Sequence, residues 1–360
     1  MNKDNNKTAK KILIVKPSSL GDIFHVFPAV SLLMEHFPNA EFDWLVHPAF
    51  ADILQYSPAK IRKTIVFPRR QLAAVHTFIP SFLKLTKELR QENYDLIIDF
   101  QGLFRSAFFA FIAKGSQVSG FSEPKESIAK YFYGQRITIP ENCVHAVERN
   151  LALVRALTGT DQPPATAPLT IVEGFAKSAA KRLKDCGITS ENKIIGVIPG
   201  ARWKSKCWQP DFFTGIINGF RLLNPQYKFI ILGSPEDTAA AKNIVDNTNT
   251  DNVISLAGKT SIGELVEAIR RCDFVISNDS GPIHIASALN KTVFGLFGPT
   301  DPEKTGPYGD RHIIFQKDLP CIKCLKRICP RGDSECHDLN IKEILSRLNE
   351  YINKEAVHEN

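Results

Sequence analysis

No stretch of this 360-residue chain is apolar for long enough to cross a bilayer. The longest apolar run, Ala107 to Ala113, falls well short of the roughly 20 residues that a spanning helix needs. A signal-type apolar core is also missing, because Lys10-Lys11 leads directly into a β-branched run. These absences predict a cytoplasmic protein. Three catalytic signatures are missing too: H-E-x-x-H, G-x-S-x-G and G-x-x-x-x-G-K-[ST]. That sets aside the familiar metalloprotease, hydrolase and P-loop chemistries. Nor is there an acidic excess. Residues 1–160 hold 20 Lys+Arg against 14 Asp+Glu, whereas residues 161–360 hold 25 against 24. The first half is therefore expected to meet something anionic. Nucleic acid, an acidic lipid surface and a phosphorylated substrate each fit this bias, and so does simple solubility.

What is present is ordinary globular material, 43% hydrophobic and 23% charged, in a chain long enough for two full cores. Strand patterns at Ile12–Lys16, Glu41–Val46, Thr64–Phe67 and Tyr94–Phe100 alternate with helical patterns near His25–Phe37 and Ser81–Glu92. A further helix is expected from about Leu103 and another over His145–Leu157. A turn-rich stretch from Thr158 to Pro164 follows, and the plan then restarts. Strands are expected at Lys193–Ile198, Lys228–Leu232, Asn252–Leu256, Phe274–Ser277 and Thr292–Phe297, with a last amphipathic helix near Leu339–Ile352. Alternation of this kind implies parallel sheets. The expected fold is α/β: a Rossmann-like domain over 1–160, a linker over 161–169, and a second Rossmann-like domain over 170–336, the two facing each other across a cleft. The remainder, 337–360, is a helix with the option of returning to the first domain.

Open α/β sheets bind ligands at the carboxyl ends of their strands, so the loops there are the places to look. The first, Lys16-Pro17-Ser18-Ser19-Leu20-Gly21-Asp22, brings a carboxylate to a helix start. Asp22 is then either an N-terminal cap or a base that accepts a proton from a substrate hydroxyl. His25 lies three residues on, near the same helix face. The second loop, Pro199 to Trp208, holds Arg202, Lys204 and Lys206, which suit a diphosphate whose charge grows as it leaves; a solvated loop is the plainer alternative. In the third, Asn278-Asp279-Ser280-Gly281-Pro282-Ile283-His284, a helix start near Ser280 or Gly281 would offer amides to a phosphate. Asp279 there either caps the helix or binds sugar hydroxyls, and His284 reads as a packing residue. Thr300, in Gly298-Pro299-Thr300-Asp301-Pro302, and Glu236, after Gly233-Ser234-Pro235, stand at the same sheet edge. An acid at the place of Glu236 commonly takes ribose hydroxyls. No Asp-X-Asp triplet occurs, so cationic side chains and helix amides are expected to stabilise a leaving group without a metal.

Cys321, Cys324, Cys329 and Cys336 cluster with two, four and six residues between them. They could supply a structural zinc site or remain reduced thiols in a compact loop.

The segments KPSSLGDIFHVFPA, YDLIIDFQGLFRSA, HAVER and NDSGPIHIASALN…FGPTDPEKTGPYG together resemble the lipopolysaccharide heptosyltransferases of glycosyltransferase family 9. The run Glu41–Val46 and the Ser18-Ser19 form of the loop look nearer to heptosyltransferase I than to II. The resemblance implies a GT-B fold and an inverting, metal-independent transfer of heptose from ADP-heptose to the Kdo region of lipopolysaccharide, with Kdo-lipid A or a related acceptor. It implies no cofactor for catalysis and no nucleic-acid partner. Asp22 matches the catalytic base and Lys206 the lysine that steadies the diphosphate. Arg202, Lys204, Glu236, Asp279, Ser280, Gly281, His284 and Thr300 fall on the donor side. Ser19, Gly21, His25, Arg69, Arg70, Arg105 and Lys125 fall on the acceptor side, where basic groups meet carboxylates and phosphates. An anionic membrane surface, met peripherally at the inner face of the inner membrane, follows from that acceptor. Another family 9 donor or acceptor, or a GT-B sugar-nucleotide epimerase, is the rival enzymatic reading. A lipid- or nucleic-acid-binding module is the non-enzymatic one, and it leaves the loops of the second half unexplained.

Overall fold

The β-branched runs become the central strands of two parallel six-stranded sheets. The structure, a computed structural model, describes residues 10–163, 169–248 and 250–358. Contacts divide the chain into units Met1–Thr170 and Ile171–Asn360. Of the expected linker, residues 164–168 lie outside the described residues.

In the first unit the strands are β1 (Lys11–Val15), β2 (Glu41–Val46), β3 (Ile61–Val66), β4 (Leu96–Asp99), β5 (Gln117–Phe121) and β6 (Gln135–Ile137), in the order β3-β2-β1-β4-β5-β6. Ile12, Leu13, Ile14 and Val15 are fully buried, as a central parallel strand covered on both faces requires. Strand order reverses between β1 and β4, so the loops after these two strands border the switch point where such sheets bind ligands. The helices are α1 (Leu20–Phe24), α2 (Phe27–His36), α3 (Val75–Arg90), α4 (Phe104–Ile112) and α5 (Ala146–Thr158). Helix α2 is the helix expected near 25–37; the short α1 before it is a separate helix, because α2 starts afresh with Pro28 in its first turn and proline lacks the N–H that a continuing helix would use. Helix α3 begins before the expected Ser81 and runs through Pro80.

The second unit carries α6 (Glu173–Asp185), β7 (Lys193–Ile198), α7 (Pro210–Leu223), β8 (Tyr227–Ile231), α8 (Thr238–Thr248), β9 (Val253–Ser255), α9 (Ile262–Arg271), β10 (Phe274–Asn278), α10 (Gly281–Ala288), β11 (Thr292–Phe297), α11 (Pro302–Thr305), β12 (Ile313–Gln316) and α12 (Ile341–His358). Its order, β12-β11-β10-β7-β8-β9, repeats the first sheet's plan with its switch between β7 and β10. Strands β5, β6 and β12, short and polar in part, were not apparent from periodicity.

Helix α12 packs in the second unit: Ile344 and Leu348 are buried in that unit's core, and the Tyr351 ring lies 5.5 Å from both Phe274 and Phe294. Its seat is cut into α7, where a β-carbon on Gly219 would come 2.5 Å from Leu345. Two glycines one helical turn apart, Gly215 and Gly219, let the helices approach closely.

Candidate active site

In the first unit, one carboxylate organises the loop after β1. Oδ2 of Asp22 accepts the backbone N–H of Ser19 at 2.8 Å and its hydroxyl at 2.6 Å. No hydrogen bond reaches Oδ1 among the described residues. The capping and catalytic readings thus fall on different oxygens of the same group. Lys16 is buried in the same loop, with Nζ donating to the Phe100 carbonyl at 3.0 Å. Burial by itself would raise the Asp22 pKa. The Lys16 ammonium, the Ser19 donors and His25 outweigh it and hold the carboxyl far below the usual range. The Lys16 pKa is lowered as well: burial brings it down, against the pull of Asp22 and Asp99, and Lys125 lowers it further. Sequence reading passed over Lys16, whose only signal was a cation between a buried strand and a proline.

The loop after β4 is set by Asp99, fully buried, which accepts from Gln101 N (2.8 Å), Gly102 N (3.3 Å), Ser106 Oγ (2.9 Å) and Tyr133 Oη (2.7 Å). Burial nevertheless pushes its pKa up. Gln101 Oε1 then accepts Ser18 N at 3.2 Å, so the loops on the two sides of the switch point are joined. Ser19 caps α1 and Gly21 is buried in its first turn. His25 faces inward: it is buried, its ring lies edge-on to His145 at 5.4 Å, and its carbonyl accepts Asn150 Nδ2 at 3.0 Å. It supports the loop rather than presenting its ring to solvent. Arg105 is exposed in the first turn of α4, and exposed Lys125 adjoins Gly102. Arg69 and Arg70 are exposed beyond β3, where, after burial, they further lower the His47 pKa.

In the second unit the structure gathers Lys206, Asp279 and Thr300 from three separate loops. Lys206 Nζ lies 2.6 Å from Asp279 Oδ2, and the Thr300 hydroxyl donates to the same oxygen. Asp279 therefore does not cap α10; Ser280 is the N-cap residue and Gly281 opens the helix. His284 is buried in α10. Lys206 also stands over the Trp203 ring at 4.8 Å, with the Arg327 guanidinium 5.4 Å from the same ring. Arg327 comes from the cysteine segment, far along the chain from this loop, so no local pattern joined the two. Arg202 and Lys204 are exposed. Of the two acids after β8, Asp237 is consumed by its own turn, accepting Ser234 N at 2.8 Å and Oγ at 2.7 Å. Glu236 is exposed and remains able to meet a hydroxyl. A β-carbon on Gly200 would collide with the Asp237 carboxylate, so only glycine fits against this turn as it stands.

Cys321, Cys324, Cys329 and Cys336 are free thiols. Among the described residues no group of three or more His, Cys, Asp or Glu that could hold a metal is found. Burial pushes the Cys336 thiol pKa up and the three other sulfurs add to this. The segment braces the loops around Lys206 and Thr300. Ser205 Oγ donates to the Lys326 carbonyl at 2.7 Å, Leu325 N to the Pro299 carbonyl at 2.8 Å, and Lys323 pairs with Asp301 at 3.0 Å. The His337 ring stacks on Trp208 at 4.2 Å.

A family model described as glycosyltransferase family 9 (heptosyltransferase) matches residues 82–334. Lipopolysaccharide heptosyltransferase 1 of Pseudomonas aeruginosa is 27% identical over 90% of this chain and 89% of its own length. Lipooligosaccharide heptosyltransferase 2 of Haemophilus influenzae is 28% identical over 95% and 99%. Among solved structures, the E. coli ADP-heptose lps heptosyltransferase II aligns with a TM-score of 0.77 at 24% identity, covering 96% of this chain and 99% of that one. The E. coli heptosyltransferase WaaC with ADP aligns with a TM-score of 0.75 at 24% identity, over 94% and 99%. These likenesses show the α/β fold of the GT-B class.

Proposed function

The chain belongs to glycosyltransferase family 9, and from that premise we propose that it transfers heptose from ADP-heptose to the Kdo region of lipopolysaccharide. The observation that carries the reading is the division of labour within Asp22. One oxygen is held by both Ser19 donors, while the other takes no bond among the described residues. The held oxygen fixes the carboxylate and the second accepts the proton of the acceptor hydroxyl. The depressed pKa keeps Asp22 ionised across the working range. The acceptor oxygen attacks the anomeric carbon from the face opposite ADP; the bond to the diphosphate breaks and ADP leaves with its electron pair. Inversion follows from that single displacement. Lys206, held by Asp279, meets the growing diphosphate charge without a metal, and Glu236 meets the ribose. Arg69, Arg70, Arg105 and Lys125 face the acceptor's anionic groups.

Among the described residues no helix is long and apolar enough to cross a membrane. The proposed acceptor is a membrane lipid, and on that ground the reading puts the reaction at the cytoplasmic face of the inner membrane, with the protein bound peripherally. The test is purified protein with Kdo-lipid A, a panel of sugar nucleotides and mass detection of the product. Addition of one heptose from ADP-heptose is the expected result. Transfer from another sugar nucleotide alone would overturn the donor, and no transfer to Kdo-lipid A, with transfer elsewhere, would overturn the acceptor.

A further inference from the structure

One face of the first unit is apolar where an ordinary surface helix would be polar. Helix α3 buries Leu85 and Leu89, yet its outer side repeats Val75, Ile79 and Leu83 at every fourth residue, with Ile79 65% and Leu83 60% exposed. Beside it runs a ribbon of phenylalanine rings in mutual contact: Phe78, Phe82, Phe108, Phe104, Phe132 and Phe111. It spans α3, α4 and the 3-10 turn at Ser127–Phe132, and Phe111 at its end is 57% exposed. Phe82, Phe108 and Phe132 are half-buried against the core and hold the exposed Phe78, Phe104 and Phe111 in place; exposed apolar groups clustered in this way mark an interaction surface.

The charges around the patch narrow the partner. Lys84, Lys87, Lys114 and Lys130 stand on or next to these elements, and none makes an ion pair among the described residues. Of the acids on these elements, Glu88 pairs with Lys63 at 3.6 Å, and Glu126, just before the 3-10 turn, accepts the Phe104 amide at 2.7 Å. An apolar face rimmed by cations complements an anionic lipid surface. A second copy of the same face would set like charges against each other. Position agrees as well, since Phe104 lies three residues after Gln101, the residue that holds Ser18 of the Asp22 loop.

We propose that the α3–α4 face docks on an anionic lipid bilayer, seating Ile79, Leu83 and the phenylalanine ribbon at the headgroup boundary. This rests on the acceptor being membrane-anchored and names the surface that meets the membrane. Docking there would bring the Asp22 loop to an acceptor whose sugars project from the lipid.

The test is co-sedimentation of the full chain with phosphatidylglycerol-containing vesicles and with neutral phosphatidylcholine vesicles. Wild type is expected to bind the anionic vesicles, and less so as salt rises. I79E/L83E is expected to weaken that binding at least about tenfold, and K84E/K87E to weaken it on anionic vesicles only. Both variants should keep the wild-type melting curve and the wild-type rate on a deacylated, water-soluble acceptor. Unchanged vesicle binding in both variants would overturn the proposal. So would a wild-type dimer in sedimentation velocity that I79E/L83E dissociates while vesicle binding persists. Absence of transfer to the soluble acceptor by wild type would count against the proposed function instead, and the vesicle result would still decide the surface.

Discussion

Lys206 and Asp279 form an ion pair of 2.6 Å between the loops that follow β7 and β10, on the two sides of the second sheet's switch point. Thr300 donates to the same carboxylate oxygen from the loop after β11. Three loops that carry no fixed relation in sequence are thereby set as one unit. Under the proposed function, an ammonium held in this way would lose little freedom when a diphosphate arrives, and such preorganisation would favour the state in which leaving-group charge is greatest.

Removal of the ammonium is expected to act on donor use. Lys206→Met should lower kcat/KM for ADP-heptose by about a hundredfold or more, as measured by initial rates at varied donor. Thr300→Val should cost less, about tenfold or below, because the ion pair remains. Equal rates for Lys206→Met and wild type would show the pair to be structural.

Asp22→Asn separates the two tasks of the carboxylate. The amide oxygen still accepts from Ser19, so the melting temperature should fall by no more than the equivalent of about 1 kcal/mol. Turnover should drop at least about a hundredfold because the proton acceptor is gone. Thermal denaturation and single-turnover rates read the two effects independently. A variant that is destabilised yet fully active would leave Asp22 as a cap alone.

Lys16 is expected to set the acid side of the pH profile. Its ammonium opposes the burial that would otherwise raise the Asp22 pKa. In Lys16→Met the carboxyl should protonate at higher pH, so log kcat/KM should begin to fall at a pH where wild type is still flat. The pH–rate profiles of the two proteins make the comparison, and superimposable acid limbs would refute it.

Glu264 gives a stability prediction. It is buried, caps α9 by accepting Ser261 N at 2.7 Å, and ties α9 to α6 through Arg182 at 2.8 Å and Ser178. Burial would raise its pKa, but these donors bring it down to about 2. A depressed folded-state pKa contributes stability above the unfolded value, and that stability is lost as pH falls through the folded value. Between the ordinary glutamate value of 4.5 and about 2, wild type should lose on the order of 3 kcal/mol on this account. Glu264→Gln should be less stable at pH 7 and flatter across that window, as followed by urea unfolding at each pH.

The most local features were the most legible. The run Ile12–Val15, its turn and Asp22 were recognisable because a buried parallel strand must be apolar throughout and its ligand loop must lie at its carboxyl end. Lys193–Ile198 and Thr292–Phe297 matched their strands end to end for the same reason. The short edge strands β6 and β12 lacked such a pattern. They are strands because a neighbour offers a hydrogen-bonding edge. The place of α12 was equally hidden, since an amphipathic stripe states that a face is buried without stating against what. Two glycines on α7 decided that.

By itself, then, the sequence determined which segments become strands, where the ligand loops fall, and that a carboxylate and a cation-rich loop stand in them. Those properties depend on neighbours in the chain. Only the tertiary structure decided which oxygen of Asp22 is held, that Lys16 is buried against Asp22 and Asp99, and that Lys206 meets Asp279. It likewise decided that the cysteine segment braces the loops around Lys206 and Thr300. Those relationships arise between residues brought together by β-sheet crossovers, and their energetics come from burial, which no local pattern specifies.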